Sequence, residues 1–278
     1  MFWRNSIAII LGFGMIASIS YAGQETHGGD TVTCRAPRAN EANTIAAGDY
    51  TLDYLLTYQA STHENAENDI EVVESWEESA NRLMQVFRSV GDYFGDAFED
   101  FVTSLENHSD YSQNRIWEQA AFGLTDIKDE SFLRLLPSNC MTQDRDGSMK
   151  ARIRQAVLRT ENSSGLVIYQ YDRPFLGQFK SAAALQYSFL MVHEFLRDFV
   201  QDAEVIKRVN RFVHSKLVSG KNVQGEWSAK MNQAQIVNIF YRMGLIQERG
   251  IQECRVMNAN SNYNFNVPDE VVRVLVRQ

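Results

Sequence analysis

Eleven apolar residues spaced by three and four constrain this chain more than any other feature. Ile70, Val73, Trp76, Ala80, Leu83, Phe87, Val90, Phe94, Phe98, Phe101 and Leu105 span 35 positions in ten steps, a mean of 3.5. Side chains at that spacing share one face of a helix, so the segment must bury a long apolar stripe. Gly91 and Gly95 fall inside the stripe, and the spacing predicts a bend or a break there. Four phenylalanines need a wide groove to fill. A coiled-coil seam prefers Leu, Ile and Val, so the stripe reads as a core face and not as an arm reaching for a partner.

Around the stripe the chain reads as α+β and mainly helical. Helices are expected over 49–61, capped by Asp49, over 113–136, which ends at Pro137, and over 179–201, 203–218 and 228–247. Strands are expected at Thr31–Cys34, in a hairpin of 151–160 and 165–172 about the turn at 161–164, and in the tail at 251–257 and 271–276. The expected architecture is a single domain over 23–278, with helices packed on one face of a small antiparallel sheet. At 44% hydrophobic residues, 16 Gly and 4 Pro in 278, the composition excludes collagen-like and disordered chains. There is no Gly-rich phosphate loop and no Gly-x-Ser-x-Gly nucleophile turn.

Residues 1–22 have the form of a cleaved secretory signal. Arg4 precedes an apolar run from Ile7 to Ile19, and Ser20-Tyr21-Ala22 places small residues three and one before a cut. The run is shorter than the roughly 20 residues a spanning helix needs. An exported product, periplasmic or secreted, is expected, with no later membrane span. Cys34, Cys140 and Cys254 would then meet an oxidising compartment, and three cysteines allow at most one internal bridge.

Charge is divided unevenly. Residues 1–144 hold 8 Lys/Arg and 23 Asp/Glu, whereas 145–278 hold 19 and 12. Seven acids between Glu64 and Glu78 meet no base. The acidic surface disfavours nucleic acid as a partner. The simplest reading is that the two halves attract each other within one molecule, or that each charge run merely solvates its own face.

His193-Glu194 is the one pair that could carry chemistry. On a helix, Leu185, Phe189, Val192, Leu196 and Phe199 form the apolar face, His193 lies at its edge, and Glu194 turns toward the polar side. Zinc proteases place a second His four residues after the first, but here that position is Arg197, a cation. The pair therefore reads as a hydrogen-bonded His beside an ion pair of Glu194 with Arg197 and Arg211. The alternative is a hydrolase with His193 and Glu194 as catalytic residues, and zinc held by His193, His214 and a carboxylate. No other cofactor is expected. His63 and His108 read as surface residues, and Cys254 as an inert thiol.

Several short motifs resemble an uncharacterised group of exported proteins from predatory and related bacteria. They are Gly28-Gly29-Asp30-Thr31-Val32-Thr33-Cys34, the Leu55–Ala60 helix, Cys140-Met141-Thr142-Gln143, the apolar helix with His193-Glu194, and Arg208 with Asn210. The likeness covers roughly residues 28–218. It implies a Cys34–Cys140 disulfide and carries no settled activity. Where the group usually has acids in its first helix, this chain has Thr57 and Gln59. The functional expectation is a non-enzymatic module that binds a protein or envelope component.

Overall fold

The computed structural model describes residues 30–36, 38–40, 45–60, 70–107, 110–112, 115–120, 124, 126–127 and 136–245. The proposed signal, His63, His108, Cys254 and the tail strands lie outside them. The order of elements is β1 (Asp30–Cys34), β2 (Gly48–Thr51), α1 (Leu52–Ala60), α2 (Trp76–Val90), α3 (Asp92–Asn107), β3 (Asp110–Ser112), β4 (Arg115–Gln119), β5 (Asp126–Ile127) and β6 (Met141–Gln143). There follow β7 (Met149–Ala151), β8 (Ile153–Gln155), β9 (Val157–Glu161), β10 (Val167–Tyr171), α4 (Arg173–Ala182), α5 (Ala184–Leu196), α6 (Ala203–Val213), β11 (Ser219–Lys221), β12 (Trp227–Ala229) and α7 (Gln233–Met243).

The stripe breaks at the first of its two glycines. Ser75 caps α2 by accepting from the Glu78 amide at 3.1 Å, and Gly91 separates α2 from α3. Gly95 does not break the chain. It lies so near Arg88 that an added Cβ would sit 2.0 Å from Arg88 Cγ and 3.1 Å from its Cα. The two helices therefore fold back on each other, and Phe87 meets Phe98 with ring centroids 5.0 Å apart. Phe195 of α5 packs against both, 5.1 Å from each ring. The stripe is a core face, as its phenylalanines require.

The strands form more than the one small antiparallel sheet expected from the sequence. One four-stranded sheet runs β2-β1-β8-β5, a second runs β3-β4-β10-β9, and β6-β7 and β11-β12 are separate pairs. β4 lies parallel to β10, with Trp117 opposite Tyr169. The expected 151–172 hairpin survives as β9-β10, but its first residues leave as β8 to join β1. The 113–136 helix is corrected by β4 and β5: Trp117 is buried between less buried neighbours, a strand's alternation. Residues 49–51 are strand, because they complete the β1 ladder. The 179–201 helix is two helices meeting at Ala183.

Three hairpins share one turn. Asp144, Asn162 and Asn222 each accept, at a backbone carbonyl, the amide of the glycine three residues on, at 3.0, 3.0 and 2.9 Å. Those glycines, Gly147, Gly165 and Gly225, have φ of +84°, +79° and +80°, a left-handed conformation that a Cβ disfavours.

Apolar burial falls into two clusters. The larger joins α2, α3, α5, α6 and α7 to β4, β9 and β10. The smaller comprises Val32, Leu52, Leu55, Ile153, Phe189 and neighbours, and includes the disulfide between Cys34 and Cys140. A bridge closing 106 residues stabilises by about 4–5 kcal/mol in the chain-entropy account. Helix α5 serves both clusters: Phe189 faces the smaller, whereas Leu190, Met191, Val192, Phe195 and Leu196 face the larger. The halves also attract as their charges suggest, through Glu77 to Lys180 at 3.2 Å and Glu78 to Lys221. Among the described residues no helix is long and apolar enough to cross a membrane.

Candidate functional site

Every residue of α5 from Gln186 to Leu196 is buried. Its polar side chains therefore have no water to turn to, and each needs a partner inside the protein. Gln186 accepts from the Thr51 amide at 3.0 Å. Ser188 meets His214 and Ser79, and His193 meets Asp53. Glu194 points into the interior with no exposure, not toward a polar surface as expected. The expectation fails because α5 is flanked by two apolar clusters, not one.

His193 Nδ1 donates to Asp53 Oδ2 at 2.9 Å, and Asn210 Nδ2 donates to the same oxygen at 2.7 Å. Asn210 Nδ2 also donates to the Phe189 carbonyl at 2.8 Å. This knot ties α1, α5 and α6. Burial pushes the His193 imidazole down, but the Asp53 carboxylate, by charge and hydrogen bond, lifts it above the ordinary value with help from Glu194.

Glu194 is less well served. Among the described residues neither carboxylate oxygen accepts a hydrogen bond, and Asp53 Oδ1 likewise has no donor. Arg197 Nη1 stands 3.5 Å from Glu194 Oε2, one of the two partners expected for it. Arg211 lies in the last turn of α6. Burial raises the Glu194 carboxyl above the usual carboxylate range, against the pull of Arg197 and His193. Asp30, buried at the start of β1, is driven up to about 7 by burial and then by the charge of Glu194.

His214 sits in a second network. Its Nδ1 faces the Asn210 carbonyl at 2.8 Å, which can only accept, so that nitrogen carries the proton. Nε2 then accepts from Ser188 Oγ at 2.7 Å, and Ser188 in turn accepts from Ser79 Oγ at 2.6 Å. Burial and the nearby Arg82 charge drive the His214 imidazole down to about 3, which keeps it neutral. A Ser donating to a neutral His has the form of an activated nucleophile. Ser188 and His214 are nevertheless wholly buried. Phe189 stacks on the imidazole, with ring centroids 4.0 Å apart.

The structure thus places His193 and His214 in different networks, linked through Asn210. Among the described residues no group of three His, Cys, Asp or Glu is arranged to hold a metal ion. Sequence reasoning missed Asp53 and Asp30 as partners. One signal was available: Asp53 stands between Leu52 and the Leu55-Leu56 pair, an acid embedded in an apolar turn. Arg82, wholly buried and with no hydrogen-bond partner for Nε and Nη1 among the described residues, gave no sequence signal beyond its place in the stripe region. No family model matches the chain, and no curated protein or solved structure matches it.

Proposed function

We propose that this is an exported, non-enzymatic module that binds a protein or an envelope component, and that His193, Glu194 and His214 brace its interior. The observation that carries this reading is the burial of the chemistry-bearing groups. Glu194 and His214 have no exposed surface and His193 has 3%. A general acid or base, or a metal-bound water, must reach its substrate to act. The Cys34–Cys140 disulfide and the resemblance to exported proteins support the location. The Phe-rich stripe is not the binding face, since Phe87, Phe98 and Phe101 are core residues.

Two measurements on the purified protein test the proposal. Elemental analysis should find far less than stoichiometric zinc, in the wild type and in His193→Ala alike. Saturable co-sedimentation with isolated cell envelopes, or with their extracted proteins, should be retained in Glu194→Gln. Stoichiometric zinc lost on His193→Ala, or a hydrolytic activity abolished by Glu194→Gln with folding intact, would assign the cluster to catalysis.

A further inference from the structure

We propose that Arg82, Glu71 and Trp227 form a site for a small zwitterion of the amino-acid class, with its carboxylate on Arg82 and its ammonium toward Glu71. The inference goes beyond the binding role proposed above and does not depend on it.

The anchor is a buried cation whose donors are not used up. Arg82 lies on α2 and has no exposed surface. Its Nη2 donates to the Ser215 carbonyl at 3.1 Å. Its Nε–H and its Nη1 amino group have no acceptor among the described residues. Burial draws the guanidinium down to about 10, which leaves it charged at neutral pH. A charge taken out of water and left without acceptors is destabilising. A carboxylate is the group that matches a guanidinium in both charge and shape.

Two segments bring the other groups to it. Just before α2, Ile70 bridges to Ser215, and the Glu71 amide donates to the His214 carbonyl at 2.9 Å. The backbone that carries Glu71 therefore runs beside the same Ser215 that Arg82 holds. The Glu71 carboxylate acts on the Arg82 charge, but it takes none of the unused N–H groups. From β12 comes Trp227, whose ring centroid is 5.4 Å from Arg82 Cζ, within the range of a cation–π contact. That contact shields the charge and supplies no lone pair to the donors.

Glu71 decides which ligand fits. Its charge offsets that of Arg82, so a bare carboxylate bound to Arg82 would stand against it, and a phosphate dianion more so. A zwitterion satisfies both: its carboxylate takes the Arg82 donors and its ammonium meets Glu71. The lysines of the β11-β12 hairpin are engaged elsewhere. Lys221 is paired with Glu78, and Lys230 Nζ donates to the Lys216 carbonyl at 2.7 Å. Access is past the hairpin. Among the described residues β11 and β12 pair only with each other, and a lone two-stranded hairpin is marginally stable. Trp227 is half-buried and belongs to neither apolar cluster. Its indole can swing aside while both clusters keep their packing.

Nuclear magnetic resonance on the isotope-labelled full chain, with the Arg82 Nε–H and Trp227 indole N–H signals assigned by triple resonance, tests the site. Glycine should move both signals saturably, with half-saturation at about 1 mM or below. Acetate and phosphate at matched ionic strength should bind at least about tenfold more weakly. Arg82→Lys should abolish the glycine response of the Trp227 signal. Glu71→Gln should remove the preference for glycine over acetate, and it serves if Arg82→Lys does not fold. No saturable shift with glycine, acetate or phosphate binding as tightly as glycine, or an unchanged preference in Glu71→Gln would overturn the site.

Discussion

At the scale of single residues, the interior is organised by polar groups that must be paired. Ser188 shows the consequence most simply. Its hydroxyl is what the buried Nε2 of His214 accepts from, at 2.7 Å. Removing it strands an acceptor out of reach of water, and such a loss costs about 1–3 kcal/mol. Ser188→Ala should lower unfolding free energy by that amount in urea titration, although it deletes only one oxygen. Ser79→Ala should cost less, since Ser188 keeps its bond to His214. Asp53 and His193 lie 140 residues apart in sequence, and Asp53 and Asn210 lie 157 apart. No local pattern announces such a partner, so a hydrogen-bonded His193 could be expected from the sequence while Asp53 as its partner could not.

At the scale of elements, legibility followed locality. The stripe from Ile70 to Leu105 and its break at Gly91 depend on local spacing and on where the glycines fall, both written in the sequence. The β9-β10 hairpin depends on its own turn, and was also readable. The failures are the elements decided by distant partners. Residues 49–51 pair with β1, β4 pairs in parallel with β10, and β8 joins β1 across more than a hundred residues. The burial of α5 was readable in part. Ala184–Leu196 is apolar on nearly every side, the signature of a helix with no solvent face, yet Glu194 suggested one. Gly95 gives a test at this scale. A methyl there meets Arg88 backbone as well as side chain, so the α2-α3 hairpin must open. Gly95→Ala should cost about 1–3 kcal/mol, as overpacking does, despite alanine's better helix propensity. Gly91→Ala meets no atom within 4 Å and should cost less than Gly95→Ala. Thermal unfolding of the two variants distinguishes them.

At the scale of the whole molecule, two buried groups pull stability in opposite directions with pH. Asp30 titrates at about 7 when folded, against 3.8 for the free group. Its contribution is fully present below about 4 and is lost as pH rises through 7. The raised His193 and Glu194 act with the same sign. His214 titrates at about 3 when folded, against 6.5. Its contribution is present above 6.5 and is lost as pH falls toward 3. Between about 4 and 6.5 the Asp30 and His214 slopes oppose each other. Stability should therefore be highest in mildly acidic solution and should decline on going above neutrality. In His214→Gln the acid-side loss disappears, and stability should fall steadily from about pH 4 to about pH 7. Urea titrations across that range read the difference. A wild-type maximum in alkaline solution would contradict it.

The central claim is that the histidine of α5 and the acid of α1 hold two halves of the core together. A double-mutant cycle on unfolding free energy, with Asp53→Asn, His193→Gln and the pair, tests it most directly. Each single change should cost about 3 kcal/mol, because it leaves a buried partner uncompensated. The double variant should cost at least about 1 kcal/mol less than the sum. Single variants as stable as the wild type, or strict additivity, would contradict the claim.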